Sequence, residues 1–360
     1  MIDKIVSRAP ARVCLFGDHQ DYLSLPIIAT TIDRTIEVNA IRNNSRYFKI
    51  FKKDLGEQDD INIDNEINPN ETDFLKIAIR VLRDYNCIPD KGYDIIISSN
   101  IPINSGLSSS SALIIAWINF LLNTFSTHKV SAELLAEISY RVEVIEIGNS
   151  GGKMDQYTIS FGKTIFLDTL NDKVTPYDHD LCDMIIGVSN QQKDTEGLLK
   201  KLKTNALISI DLVKKKFPKF DIYNPLSYDL EKFLIELDED LRPYFRAAIG
   251  NYMITLNAQN EFNKSFLNIE KISKLMSEHH SFLKNDLKIT TPEIDLMIDI
   301  ADKNGSLASK IVGSGGGGSI VCLSNNKETS AKILNKFNEI GVKEAFIAKR
   351  GSGPKIIINE

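Results

Sequence analysis

The stretch Asn100 to Phe120, NIPINSGLSSSSALIIAWINF, constrains this chain more than any other, because a loop there must turn into a buried helix within a few residues. Pro102 interrupts regular structure, Gly106 opens backbone angles closed to other residues, and four serines, Ser108 to Ser111, lead into the apolar run Ala112 to Leu122. The first turn of a helix carries unpaired N–H groups and the positive end of the helix dipole. A glycine-bearing lead-in lets a phosphate approach both. Small hydroxyls add donors, or a magnesium ligand, without filling the space. Serines are also ordinary N-caps and Gly106 suits a plain turn, so this loop alone supports either an anion site or a capped turn. Four consecutive serines exceed what capping needs. The apolar run falls short of the roughly 18 residues a bilayer demands and reads as a buried helix.

A chain of 360 residues exceeds one small core and suits two domains, expected at 1–183 and 184–360, because the composition turns mostly helical after Asn171 to Asp183. With 42% hydrophobic and 25% charged residues the chain is globular, neither disordered nor membrane-spanning. A net charge of −5 argues against nucleic acid as the main partner. Cys14, Cys87, Cys182 and Cys322 are scattered singly, which fits a reduced, cytoplasmic protein, and MIDKIVSRAP has no apolar core for a signal peptide.

Lys4 to Leu15 alternates as a strand, and GDHQDY after it gathers Asp18, His19 and Asp21 into one polar turn. Those carboxylates, the imidazole and nearby Arg12 can make the directional hydrogen bonds a polyol requires. A metal site and a solvated turn are the competing readings. Ile27 to Arg42 reads as β, residues 43–70 as a surface loop with short strands, Asp73 to Tyr85 as an amphipathic helix, and Tyr93 to Ser98 as the strand entering the central loop. Ser131 to Ile147 is expected to be a helix capped by Ser131. Glu143 and Glu146 lie near its end, where negative charge opposes the dipole and suggests a partner such as a cation. GNSGGKMDQY places Asp155 just after a glycine pair, and Thr158 to Asp168 is expected to form a hairpin turning near Gly162. Its Gly-Lys-Thr triplet is not a Walker A loop, since Tyr157 stands where the leading glycine belongs.

The second half predicts helices at Lys193 to Lys216, Asp229 to Leu237, Tyr244 to Phe282 with a break near Gly250 or Asn263, and Glu293 to Asn304. The adjacent His279 and His280 lack the one-turn spacing of a helical metal pair and read as helix-surface or hydrogen-bonding residues. A strand at Ser309 to Val312, a glycine run from Gly313 to Ser319, the strand IVCL, a helix at Lys327 to Ile340 and a strand at Glu344 to Ala348 suggest a small α/β sandwich. Because the glycine run separates two β segments, close backbone approach is a better reading than a flexible linker.

Three motifs, in order, resemble those of the GHMP kinases: RAPARVCLFGDHQDY in the form galactokinases carry it, IPINSGLSSSSA as the phosphate loop, and KIVGSGGGGSIVCL as the C-terminal glycine motif. GGKMDQY and TTPEIDLMIDIA extend the match over nearly the whole chain, and the three together are far more specific than any one. The resemblance implies an α+β, two-domain GHMP kinase fold, with a ribosomal-protein-S5-like N-terminal domain, a ferredoxin-like C-terminal domain and the active site between them. It implies that Asp155 is catalytic with Arg12 beside it, and that Asp18, His19, Asp21 and Gly152 contact a sugar. ATP would be bound by Ser105, Gly106, Leu107, Ser108, Ser109 and Ser110 with Gly315 and Gly316, and Mg2+ by Ser110 and Glu143. The implied activity is transfer of the ATP γ-phosphoryl group to a monosaccharide hydroxyl, in first place the anomeric C1 hydroxyl of galactose. Another sugar, a uronic acid, a small alcohol, or a non-catalytic sugar sensor are the alternatives, and neither nucleic acid nor membrane is an expected partner. Asn104 stands where galactokinases have the first loop glycine, Ser111 replaces an alanine, Asp18 and Gln20 replace a glutamate and a threonine, and GVSNQQKDTEGLL lacks the second-domain tyrosine.

Overall fold

The computed structural model describes residues 4–127, 129–191, 195–225 and 229–359. Two long strands, β1 (Lys4–Phe16) and β2 (Ile27–Arg42), run antiparallel, with register shifts at Pro10/Ala11 and Cys14/Phe16. Proline donates no ladder bond, and one of the shifts falls where Pro10 sits. The short strands β3 (Tyr47–Lys52) and β4 (Glu57–Asn62) precede α1 (Phe74–Leu82), whose N-cap Asp73 accepts from the backbone of Leu75 and Lys76. Strand β5 (Tyr93–Ser99) then delivers the chain to the serine-rich loop and to α2 (Ser109–Phe125). Trp117 and Phe120 of α2 are fully buried, and the Trp117 indole donates to the Leu75 carbonyl at 3.0 Å, so both needs of that side chain are met.

Helix α3 (Ala132–Tyr140) starts at the predicted Ser131 cap, and α4 (Met154–Phe161) leads into the hairpin of β6 (Thr164–Asp168) and β7 (Lys173–Tyr177). Strand β8 (Asp183–Val188) opens a second sheet. Helices α5 (Thr195–Lys216), α6 (Glu231–Leu234), α7 (Arg242–Phe262), α8 (Ile269–Asn285) and α9 (Pro292–Lys303) follow. The chain closes with β9 (Ala308–Val312), β10 (Ser319–Ser324), α10 (Lys327–Glu339), β11 (Glu344–Ala348) and β12 (Lys355–Asn359). The first sheet has the order β12-β1-β2-β5-β3-β4, with the β6–β7 hairpin on the other end of β2; the second has the order β11-β8-β10-β9. Met297 of α9 and Phe337 of α10 pack with Ile185 and Ile320 of the second sheet, completing the expected sandwich. Asp183, the expected boundary, is the first residue of the second sheet, but β12 returns to pair with β1 of the first. Among the described residues no helix is long and apolar enough to cross a membrane.

The sequence-based expectations fail at several places. Thr158 to Asp168 is not a hairpin: Thr158 to Phe161 finish α4, Gly162 stops the helix with a φ of 68°, and β6 begins only at Thr164. Ser131 to Ile147 is not one α-helix, since Arg141 to Ile145 form a π-helical turn. Gly250 does not break α7; the ring of Phe282 packs where a side chain would project, and the helix ends at Asn263. The helix predicted at Asp229 to Leu237 is only Glu231 to Leu234. Lys193, the predicted start of α5, lies outside the described residues. Of the two readings for His279 and His280 the surface one fails, since both are buried, and the hydrogen-bonding one holds: they accept from the Gly17 and Ile311 N–H groups at 3.0 and 3.5 Å.

Candidate active site

The serine-rich loop is not a side-chain-capped turn. Asn104, Gly106 and Ser108 all take positive φ, of 56°, 82° and 62°, the alternating pattern of an anion-binding nest. Asparagine tolerates that conformation, which accounts for Asn104 where a glycine was expected. Ser108 is the N-cap of α2 but makes no capping bond with its side chain. Its hydroxyl donates instead to Asp155 Oδ2 at 2.6 Å, and Ser111 reaches the same oxygen at 3.5 Å. Ser105 lies under the loop, donating to the Pro102 carbonyl at 2.6 Å, while the Ser319 hydroxyl of β10 donates to the Ser105 carbonyl at 2.6 Å.

Asp155 sits in the first turn of α4, facing the loop across the end of β1. Arg12 of β1 joins the two: its Nε donates to Asp155 Oδ1 at 2.7 Å and its terminal nitrogen to the Gly106 carbonyl at 2.6 Å. Burial alone would lower the Arg12 pKa, but the charge and hydrogen bond of Asp155 outweigh it and the guanidinium is held more firmly protonated than usual. Glu143 comes from the π-turn and is buried. Gln156 donates to its Oε2 at 2.6 Å, and the hydroxyls of Ser111 and Ser110 lie close enough to favour its ionised form. Burial first, then the charge of Asp155, raise the Glu143 pKa against those contacts.

The polar turn after β1 divides its residues between two tasks. Asp21 accepts from the backbone N–H groups of Tyr22 and Met154, at 3.0 and 3.1 Å, which ties the turn to the start of α4. Gly152 must be glycine here, since a β-carbon would run into the Asp21 carboxylate. Burial, and next the charge of Asp155, push the Asp21 carboxyl up to about 6. Asp18 accepts from Lys310 of β9 at 2.6 Å and from the Gly313 N–H at 3.3 Å. Burial opposes its ionisation, but Lys310 overrides this and holds the carboxyl down at about 2. His279 of α8 accepts from the Gly17 N–H at 3.0 Å; burial and Lys310 keep its imidazole neutral, with a pKa of about 3. His19 pairs with the Tyr22 hydroxyl at 3.1 Å, and Gln20 points away to the Ala248 carbonyl of α7 at 2.8 Å.

One cleft of about 430 Å³ at the seam of the two sheets is lined by Arg12, Asp18, His19, Asp21, Gly152 and Asp155, with the loop from Asn104 to Ser111 except Leu107. Leu107 is fully buried behind it. Of the glycine run, Gly313 and Ser314 face the cleft, whereas Gly315 packs on Ile289 and Gly316 donates to the Ile289 carbonyl at 2.8 Å. Among the described residues no three His, Cys, Asp or Glu side chains cluster as a metal site, so the metal alternative for the Asp18 to Asp21 turn is not met. Gln156, Lys310 and His279 were not foreseen, nor were Val144 and Ile147, which make the cleft apolar on one side. Gln156 adjoins Asp155 in MDQY and was findable by position. A buried lysine inside a β run carries no local signal.

A loop of alternating φ faces a carboxylate–arginine pair at the seam of these two sheets, and the likeness to known proteins gives the class as a small-molecule kinase. Residues 73–163 match the GHMP kinases N terminal domain and residues 262–343 the GHMP kinases C terminal domain. The galactokinase of Mannheimia succiniciproducens is 26% identical over 366 residues, covering 94% of this chain and 91% of the relative. That of Clostridium perfringens is 28% identical over 367 residues, covering 96% and 93%. Among solved structures, Lactococcus lactis galactokinase complexed with galactose superposes with a TM-score of 0.82 at 24% identity, covering 98% of this chain and 95% of that one. The mevalonate kinase of Methanococcus jannaschii gives a TM-score of 0.74 at 22% identity, covering 96% and 98%. The chain belongs to the GHMP kinase family, with the two-domain fold of that family and its ATP-dependent kinase activity.

Proposed function

We propose that this kinase transfers the γ-phosphoryl group of ATP to the anomeric C1 hydroxyl of galactose. The observation that carries the proposal is the chain of short bonds from Gly106 through Arg12 to Asp155 and Ser108, which holds the serine-rich loop and the Asp155 carboxylate in one cleft. The polyol-type turn from Asp18 to Asp21 opens into the same cleft, and the relatives matched over most of their length are named galactokinase. A mevalonate-like acceptor carries a carboxylate and would call for cationic contacts; the turn itself offers the carboxylates of Asp18 and Asp21.

Phosphoryl transfer has a loose transition state, so positioning and charge stabilisation supply most of the rate. The backbone N–H groups of residues 105–110 and the dipole of α2 receive the β- and γ-phosphates. Gly315 and Gly316 set the course of the loop behind Gly313. Asp155 accepts the hydrogen bond, and then the proton, of the attacking hydroxyl, while Arg12 keeps it aimed. Asp21, His19 and Gly152 orient the sugar. The donors in the corner of Glu143 are all oxygens: its carboxylate, the Ser110 hydroxyl, and Gln156 Oε1, which is buried without a partner. Such a set fits Mg2+, which takes few protein ligands and completes its shell with phosphate and water. Ser110 and Glu143 would hold it, and it would neutralise charge on the phosphates. The cysteines are all free, in keeping with a cytoplasmic protein.

Incubation with ATP, Mg2+ and galactose, followed by phosphorus NMR of the product, tests the proposal. The expected product is the sugar esterified at C1 with stoichiometric ADP. Turnover of mevalonate or a uronic acid with none of galactose would overturn the substrate and leave the kinase.

A further inference from the structure

The turn that carries Glu143 is not ordinary helix. From Arg141 to Ile145 the chain widens into a π-turn, closed by the Glu146 N–H donating to the Arg141 carbonyl at 2.9 Å. Glu143 leaves the helix from the middle of that turn to meet Ser110, Ser111 and Gln156. An isolated π-turn is rare and needs something to hold it. Here the holder is a set of side chains that do not line the cleft. The Glu146 carboxylate receives Arg141 Nε at 2.8 Å on one oxygen and Arg80 of α1 at 3.0 Å on the other. Arg80 is itself fixed by the Pro69 carbonyl at 2.7 Å, and Arg141 by Asp84 at 2.7 Å.

The Arg141–Glu146 pair spans the same five residues as the backbone bond. On an α-helix, side chains five apart point roughly 140° away from each other, and helical pairs are made between residues three or four apart. The pair therefore belongs to the widened turn and stabilises it against the α register.

We propose that the Arg80–Glu146–Arg141 ion network is a positioning device for the cation site, locking the π-turn so that Glu143 faces Ser110 and Gln156. The inference rests on the reading that Glu143 takes the cation. Glu146 does not line the cleft, and it acts only through the turn.

The test uses Mn2+ as a paramagnetic probe, titrated into the full-length enzyme–ADP complex and followed by electron paramagnetic resonance. Glu146→Gln should weaken Mn2+ binding roughly 10-fold or more, the usual effect of removing a group that orients a metal ligand. It should leave the KM for the sugar within about 2-fold and should speed hydrogen exchange at the Glu146 amide. Arg80→Gln removes one clamp and keeps the other, so it should weaken Mn2+ less and still fold if Glu146→Gln does not. Unchanged Mn2+ affinity in a folded variant overturns the proposal, as does a loss of kcat and sugar KM together with cation affinity intact. Glu143→Gln separates the two levels. If it binds Mn2+ like the wild type, Glu143 is not a ligand and the assignment beneath the proposal falls with it. If it loses the cation while Glu146→Gln does not, only the positioning role is lost.

Discussion

Asp155 is held on both oxygens by donors, Arg12 on one and Ser108 on the other, so its direction is set before any substrate arrives. Asp155→Asn keeps the shape but removes the charge. It should lower kcat by roughly 10²-fold or more while nucleotide affinity, measured by calorimetry, stays within a few-fold; unchanged turnover would take Asp155 out of the reaction. Asp21 offers a pH signature. Its folded pKa of about 6 lies above the ordinary 3.8, so the folded chain keeps a proton that the unfolded chain has released. Folding stability from this group accordingly falls as pH rises from about 4 to about 6 and is level above that. A sugar hydroxyl needs the ionised form as acceptor, so kcat/KM for the sugar should climb to a plateau above about pH 6, and Asp21→Asn should flatten the limb. A wild-type profile flat from about pH 5 to about 8 would count against that role. Lys310 illustrates a different balance. It is wholly buried against Asp18 and the Cys14 carbonyl, at 2.6 and 3.0 Å. Lys310→Met strands a buried carboxylate and should cost roughly 3–5 kcal/mol in denaturant melts, much of it regained on adding Asp18→Leu. Additive losses in the double variant would mean that the two charges do not depend on each other.

At the level of elements, what the sequence made legible is what local chemistry decides. The loop before α2, the Ser131 cap and the strand at Glu344 to Ala348 were all readable, because proline, glycine, small hydroxyls and a run of apolar residues act within a few positions. Helix α4 was not. Its last residues, TISF, alternate like a strand, and they are helical because Ile159 and Tyr157 are buried from opposite sides, against the first core and against β6. The π-turn was hidden for a related reason: Arg80, one of the two arginines that clamp Glu146, comes from α1, far off in sequence. Where the structure turns on one backbone, a small change should be costly. Gly162 ends α4 at φ 68° and ψ −178°, a region open essentially to glycine alone, and a β-carbon there would strike Gly353. Gly162→Ala should therefore lower stability by roughly 1–3 kcal/mol from the backbone alone, more with the clash, seen as a reduced denaturation midpoint. A variant as stable as the parent would show that the loop at Gly353 moves aside freely.

The whole molecule keeps its cleft because each sheet supplies parts the other lacks. Lys310 and Ser319 reach from the second sheet to Asp18 and to the Ser105 carbonyl, His279 reaches from α8 to Gly17, and Arg34 of β2 pairs with Glu344 of β11 at 3.0 Å while lying 4.0 Å over the Phe346 ring. None of these pairs is readable from one stretch of sequence, since each joins residues far apart in the chain. They also mean that the first sheet is incomplete when cut at residue 183. Strand β12 is missing from such a piece, leaving β1 as an open edge with unpaired backbone groups along Lys4 to Arg8, and Asp18 would lose Lys310 and Gly313 together. Residues 1–183 expressed alone should therefore aggregate, or melt without a cooperative transition, although they contain the phosphate loop and Asp155. The measurement is a thermal melt followed by circular dichroism, beside the intact chain. The intact chain should unfold in one transition, which ATP analogue and sugar raise, each stabilising the fold by about 2.7 kcal/mol when present at about 100 times its Kd. A fragment that melts cooperatively and binds nucleotide would instead show that the two sheets fold as independent units and that the seam only brings finished halves together.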